Sequence, residues 1–259
     1  MRRFLIILAM IPVLYLAALP VYLARSTGSA VCRGVVVDIR DSSSYHFVTR
    51  KQLLSLAYGN SSRILGKRLR DINLSDIEGR INILRELRTA EVYRTIDGTV
   101  HIYADQREPV LRLMPEDGGD YFLDEDGVVV RRRNLYTPRL HVVGGNITVT
   151  QSMLNGTSVF DTSIKRTILR DIYELVTYIN EDDFWSAQID QLYVDNNDEI
   201  DLVPRVGNQT IHLGTIENYK GKLRNLAAFY DKILPEVGWN KYSVINLEYK
   251  DQIVCKRRQ

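Results

Sequence analysis

From Phe4 to Ala24 the chain carries no charged residue, and the hydroxyls of Tyr15 and Tyr22 are the polar groups of an otherwise apolar run. At about 1.5 Å rise per residue, a helix over this run spans roughly 30 Å, the thickness of a bilayer's hydrocarbon core. Only a helix satisfies its own backbone there, so residues 4–24 read as a single transmembrane helix, with Pro12 tolerated as a bend and Pro20 near the exit. A cleaved leader would have a shorter apolar region, about 7–15 residues. A lipid-modified Cys32 would need a small residue before it, and Val31 stands there. Met1, Arg2 and Arg3 form a short positive head, which favours an inside N-terminus and a folded bulk outside the cytoplasm. A three-residue head also leaves nothing inside to transmit a signal, so an anchored sensor is set aside.

Residues 25–34 then form a linker, and the rest is long enough for two modules. Net charge is +2, with both signs interspersed, so no strongly charged partner follows from composition. The runs Arg131-Arg132-Arg133 and Lys256-Arg257-Arg258 read as solvated loop and tail, not as a nucleic-acid surface. Two cysteines, Cys32 and Cys255, are too few for a disulfide scaffold and read as free thiols.

The first module, residues 35–107, begins with the β-branched run Val35, Val36, Val37 and Ile39, a strand by propensity. Thr49-Arg50-Lys51-Gln52 is a capping box ahead of Leu53 and Leu54, and Ser75-Asp76-Ile77-Glu78 is a second. The second box opens a helix whose face carries Ile77, Ile81, Leu84 and Leu87. Strands at 90–96 and 99–103 follow, joined by the two-residue hairpin signal Asp97-Gly98. The order strand, helix, helix, strand, strand implies both helices on one face of a three-stranded sheet.

The second module, residues 108–259, is β-rich and crossed by two helices, so the fold class is α+β. Short strands are expected at 110–113, 121–123, 128–130, 140–143, 189–194, 200–204 and 210–213. The helices fall at 163–180, with Ile164, Ile168, Ile172, Leu175, Val176 and Ile179 as a core stripe, and at 219–234. A terminal hairpin pairs 243–249 with 252–255.

Catalytic signals are few, and the chain reads as a non-enzyme without cofactor or metal. His46, His101, His141 and His212 are scattered without metal-ligand spacing. In Asp195-Asn196-Asn197-Asp198-Glu199, Ile200 takes the place of the glycine a calcium loop needs, leaving a hairpin tip. Asp124, Glu125 and Asp126 read as solvent-facing turn acids beside Gly127. No nucleophile elbow, phosphate loop or dinucleotide fingerprint occurs.

These modules in this order resemble the bacterial division family FtsQ/DivIB. Gln106-Arg107-Glu108-Pro109-Val110 is similar to its Glu-Arg-x-Pro junction, and Asp124-Glu125-Asp126-Gly127-Val128 to its Asp-x-x-Gly turn. Leu213-Gly214 with Lys220, Lys222 and Leu223 resembles its strand-Gly-helix step. The segment Ile245-Asn246-Leu247-Glu248-Tyr249-Lys250-Asp251-Gln252-Ile253-Val254-Cys255-Lys256 resembles its last strand pair. Gln106 stands where the family has an acid, Asn246 where it has aspartate, and Glu248 where it has arginine. The resemblance implies a small POTRA domain and a membrane-anchored septal scaffold with no small-molecule substrate. Its implied partners are FtsB- and FtsL-type bitopic proteins, linking it to the peptidoglycan synthase FtsW–FtsI. The resemblance places these partners on the C-terminal domain; the terminal hairpin, the last in the sequence, is expected to offer them its sheet edge, with binding on Glu248, Tyr249, Lys250, Asp251, Gln252 and Ile253. The alternative is a POTRA-bearing envelope assembly or secretion factor that binds polypeptide strands, a class that continues into a membrane barrel.

Overall fold

The computed structural model describes residues 30–42, 45–59, 64–133, 136, 138–250 and 252–259. The expected membrane span at 4–24 lies outside them, and among the described residues no helix is long and apolar enough to cross a membrane. The chain divides into two compact units, residues 1–106 and 107–259.

In the first unit, β1 (Gly34–Ile39), α1 (Arg50–Tyr58), α2 (Leu74–Ile81), β2 (Leu87–Arg94) and β3 (Thr99–Gln106) follow the expected order. The three strands form one sheet in the order β1-β3-β2, parallel between β1 and β3 and antiparallel between β3 and β2. Leu53, Ala57, Ile77 and Ile81 of the helices share a core with Val100, Ile102 and Ala104 of the central strand. Thr49 caps α1 as its sequence implies, its hydroxyl accepting from the Gln52 N–H at 3.2 Å.

Three local expectations are corrected. The cap of α2 is Asn73, two residues before the expected box, with its Oδ1 accepting from Asp76 N–H at 3.2 Å. Asn73→Ala should therefore lower the stability of this unit by about 1 kcal/mol in a denaturant titration, and Ser75→Ala by much less. The helix also ends at Ile81, although Leu84 and Leu87 keep helical spacing. The Asn82 side chain bonds both the N–H and the carbonyl of Ala90, so the chain folds back and Leu87 begins β2. Finally, the hairpin loop has three residues. Thr95 pairs with Thr99 and its carbonyl accepts from Gly98 N–H, a turn that needs the positive φ of Gly98.

Gln106 closes this unit. It is buried, accepts from Phe47 and Val48 N–H at 3.0 and 3.2 Å, and donates to the Arg40 and Tyr45 carbonyls. An amide can make all four bonds and a carboxylate cannot, which explains the departure from an acid here.

The second unit is built on a nine-stranded sheet. Its strands are β4 (Pro109–Pro115), β5 (Tyr121–Asp124), β6 (Val129–Arg131), β7 (His141–Gly145), β8 (Ile189–Val194), β9 (Ile200–Pro204), β10 (Thr210–Gly214), β11 (Tyr242–Asn246) and β12 (Val254–Arg257). Their spatial order is β12-β11-β10-β9-β8-β7-β4-β5-β6. The β4–β7, β7–β8 and β10–β11 pairs are parallel. Two long helices, α4 (Ile168–Glu181) and α6 (Tyr219–Lys232), bury Leu169, Ile172, Leu175, Ile179, Leu223 and Leu226 against Leu111, Leu113, Leu192 and Ile211. Short helices α3 (Gln151–Leu154), α5 (Asp183–Gln188) and α7 (Leu234–Val237) complete the unit.

Here α4 begins five residues later than its stripe implies. Asp161 accepts from Ser163 and Ile164 N–H, holding 161–164 in a turn, so Ile164 packs on the core from outside the helix. The acids at 124–126 are not all solvent-facing either. Asp124 is buried, 2.6 Å from Arg107 Nη1 and accepting from Val128 N–H. The 195–199 segment is a hairpin tip as expected, with Asp195 accepting from Asn197 and Glu199 N–H. The terminal hairpin is shorter than its alternation implies: β11 stops at Asn246 and β12 starts at Val254. Glu248, Tyr249, Lys250, Gln252 and Ile253 therefore lie in the connecting loop.

Candidate partner-binding edge

Strand β11 is held against the buried centre of the sheet by parallel pairing with β10, Ile211 opposite Ile245. Strand β12 pairs with β11 antiparallel and is the last strand on that side. Its extra residue is on β11, where Ser243 is skipped between the Tyr242 and Val244 pairs. Arg258 N–H donates to the Lys241 carbonyl at 3.0 Å, so it points at β11. Strand alternation then turns the N–H groups of Arg257 and Cys255 to the open side of the sheet. Val254, Lys256 and Arg257 are exposed, while Cys255 packs partly on the core, and burial pushes its thiol up from the ordinary cysteine range.

The loop is anchored at both ends. Leu247 is buried and its N–H donates to the His212 carbonyl, and Asn246 Oδ1 accepts from Glu248 N–H at 2.8 Å. That side-chain bond turns the chain out of the sheet after Asn246, and Gln252 N–H closes a turn onto the Tyr249 carbonyl. Tyr249 is 54% exposed, Ile253 packs on the core, and Asp251 lies outside the described residues. Glu248, Tyr249 and Lys250 line an open cleft of about 500 Å³ with Asn218, Lys222 and Asn225 of the α6 end. Lys222 Nζ donates to the Leu213 and Thr215 carbonyls, 2.9 Å each, and burial pushes its ammonium below the usual lysine range while Glu248 and Glu217 oppose.

Three of the six sequence-predicted residues thus meet at one cleft, Gln252 and Ile253 lead into β12, and the edge strand 254–257 itself was not among the six. Val254 and Cys255 already fall in the expected terminal hairpin, so the strand was legible in the sequence while its place as the outermost strand of the sheet was not.

The histidines of the second unit are engaged with neighbouring groups. Both ring nitrogens of buried His141 are occupied, by Asn180 Oδ1 at 2.8 Å and the Ile189 carbonyl at 3.0 Å. His212 Nδ1 meets Asp201 at 2.7 Å, and Glu199 and Glu248 lie 3.7 and 3.9 Å from its Nε2. Among the described residues no group of His, Cys, Asp and Glu side chains could hold a metal ion.

Residues 108–256 match the family model of the FtsQ/DivIB C-terminal-related domain. The chain belongs to the FtsQ/DivIB family. Residues 30–105 match a POTRA-like domain, which agrees with the β-α-α-β-β order of the first unit. A search of curated proteins finds no match. FtsQ/DivIB is a family of non-enzymatic division scaffolds, in general anchored in the membrane at the septum, and the two matched domains point to a divisome scaffold role for this chain.

Proposed function

We propose that the chain is a non-enzymatic division scaffold held in the inner membrane by residues 4–24, with residues 35–107 and 108–259 as separate domains outside the cytoplasm. On this reading it receives FtsB- and FtsL-type bitopic proteins at the outer edge of β12 and the 247–253 loop, and through them contacts the FtsW–FtsI synthase. The observation that carries the proposal is the position of β12 as the terminal strand of a nine-stranded sheet. A partner strand can pair with the donors and acceptors of such an edge, while Tyr249 and the cleft beside it supply side-chain contacts.

One feature of the first unit argues against the strand-binding alternative. Of the sheet's two outer strands, β1 and β2, the second has its free edge already occupied by side chains. Asn82 bonds both backbone groups of Ala90, and Glu78 Oε2 accepts from Val92 N–H at 3.2 Å.

The test is capture of single-span membrane partners by the detergent-solubilised full chain. Arg257→Pro removes an outward N–H and no bond to β11, so the fold should survive and capture should fall by about tenfold or more. Lys256→Ala, which keeps the backbone donors, should lose less than about threefold. Tyr249→Ala should fall between them. Wild-type capture by a folded Arg257→Pro variant would move the docking site away from β12.

A further inference from the structure

Helices α1 and α2 cover one face of the three-stranded sheet, and strand alternation brings a different set of side chains to the other. Register aligns Val36, His101 and Tyr93 in one row across β1, β3 and β2. The next row is Asp38, Tyr103 and Glu91. The His101 and Tyr93 rings stack with centroids 5.0 Å apart and planes 4° from parallel. Val36 and Tyr93, on the two outer strands, are 40% and 48% exposed, so this row offers open apolar and aromatic surface.

The charges on this face are divided. Arg40 lies near Asp105 and Asp41, at 3.7 and 3.5 Å, which balances that corner. Asp38 and Glu91 are exposed and neither ion-pairs nor hydrogen-bonds through its side chain with a described residue. They flank Tyr103 from the two neighbouring strands, each about 4.8 Å away across the sheet.

We propose that this face is an interaction surface for a basic polypeptide segment, with an arginine guanidinium lying on Tyr103 between the Asp38 and Glu91 carboxylates. A guanidinium is planar, weakly hydrated and stacks on aromatic rings, and its N–H groups reach carboxylates on either side. The stacked His101–Tyr93 pair and Val36 offer the apolar area on which the arginine stem or a neighbouring side chain rests. Charge selects the occupant, because two uncompensated carboxylates repel phosphate and anionic lipid headgroups. The surface lies wholly within the first unit and is independent of the β12 edge.

The probe is the acetylated and amidated peptide Gly-Arg-Gly-Arg-Gly, compared with the same peptide carrying uncharged citrulline at both arginine positions. The full chain, solubilised in non-ionic detergent and isotopically labelled in its tyrosine rings, is titrated with each and followed by NMR. Tyr93→Phe and Tyr103→Phe assign the two signals. Saturable shifts of both are expected with the arginine peptide, and binding about tenfold weaker with citrulline. Asp38→Asn combined with Glu91→Gln removes no bond made to the described residues and should weaken the arginine peptide by about tenfold as well. Tyr103→Leu, which keeps the carboxylates, should weaken it by about fivefold. Equal binding of the two peptides overturns the proposal without recourse to any variant. So does unchanged affinity in the double variant, or the same ring shifts on adding phosphatidylglycerol vesicles.

Discussion

Gly145→Ala is expected to destabilise the second unit by more than about 4 kcal/mol, while Gly144→Ala beside it costs under about 1 kcal/mol. Gly145 ends β7 with φ +103, in the region L side chains rarely adopt. That conformation aims Asn146 N–H at the Val194 carbonyl of β8, 2.9 Å away. A Cβ on Gly145 would sit 2.1 Å from the same oxygen and 2.8 Å from Val194 N. Backbone, not a flexible side-chain tip, would have to move, and it is the backbone joining β7 to β8 in the middle of the sheet. At Gly144 a Cβ would meet only the Met114 carbonyl at 3.5 Å, an ordinary contact. Urea unfolding followed by tryptophan fluorescence measures both, because Trp185 and Trp239 both lie in the second unit. Similar midpoints for the two variants would show that the sheet yields at this point.

Local patterns served well wherever one residue decides the outcome over a few neighbours. Thr49 fixed the start of α1, and the apolar stripe of α4 fixed its buried face. Patterns failed where a distant partner decides. Leu84 and Leu87 keep helical spacing, yet Asn82 reaches Ala90 across the turn and ends the helix. Alternation runs through residues 243–249, yet Asn246 takes the Glu248 N–H and turns the chain outward, moving Glu248 and Tyr249 from a strand to a cleft. The order β11-β10-β9 against β7-β4-β5 rests on parallel pairings between segments far apart in sequence, which no local period encodes. For the same reason the cleft residues Lys222 and Asn225, on α6, had no signal linking them to the terminal loop. Asp124 was misread because turn acids are usually solvated and its cation, Arg107, stands on another strand's approach.

That pair yields the second large effect: Arg107→Leu should cost about 3 kcal/mol at pH 7. Asp124 is 1% exposed and its Oδ2 lies 2.6 Å from Arg107 Nη1, with Asp126 a further 3.7 Å contact of the same guanidinium. Removing the guanidinium leaves a buried carboxylate with the Val128 N–H and a like-charged neighbour. Burial already pushes the Asp124 carboxyl above its ordinary value, against the pull of Val128 N–H and Arg107. With a folded pKa above the unfolded value of about 3.9, the group contributes most when protonated, and stability falls as pH rises through the folded pKa. Without Arg107 that pKa climbs further, so the deficit against wild type should be small near pH 4 and full at pH 7. A deficit of equal size at both pH values would mean that the arginine acts through packing alone. Pairing Arg107→Leu with Asp124→Leu should recover part of the loss, since two apolar groups can replace a buried ion pair at little cost while the Val128 N–H loses its acceptor. Arg107 belongs to the Gln106–Val110 junction and Asp124 to the Asp-x-x-Gly turn, two motifs that look separate in sequence. The ion pair makes them one latch, fixing the segment that leads into β4 to the turn between β5 and β6.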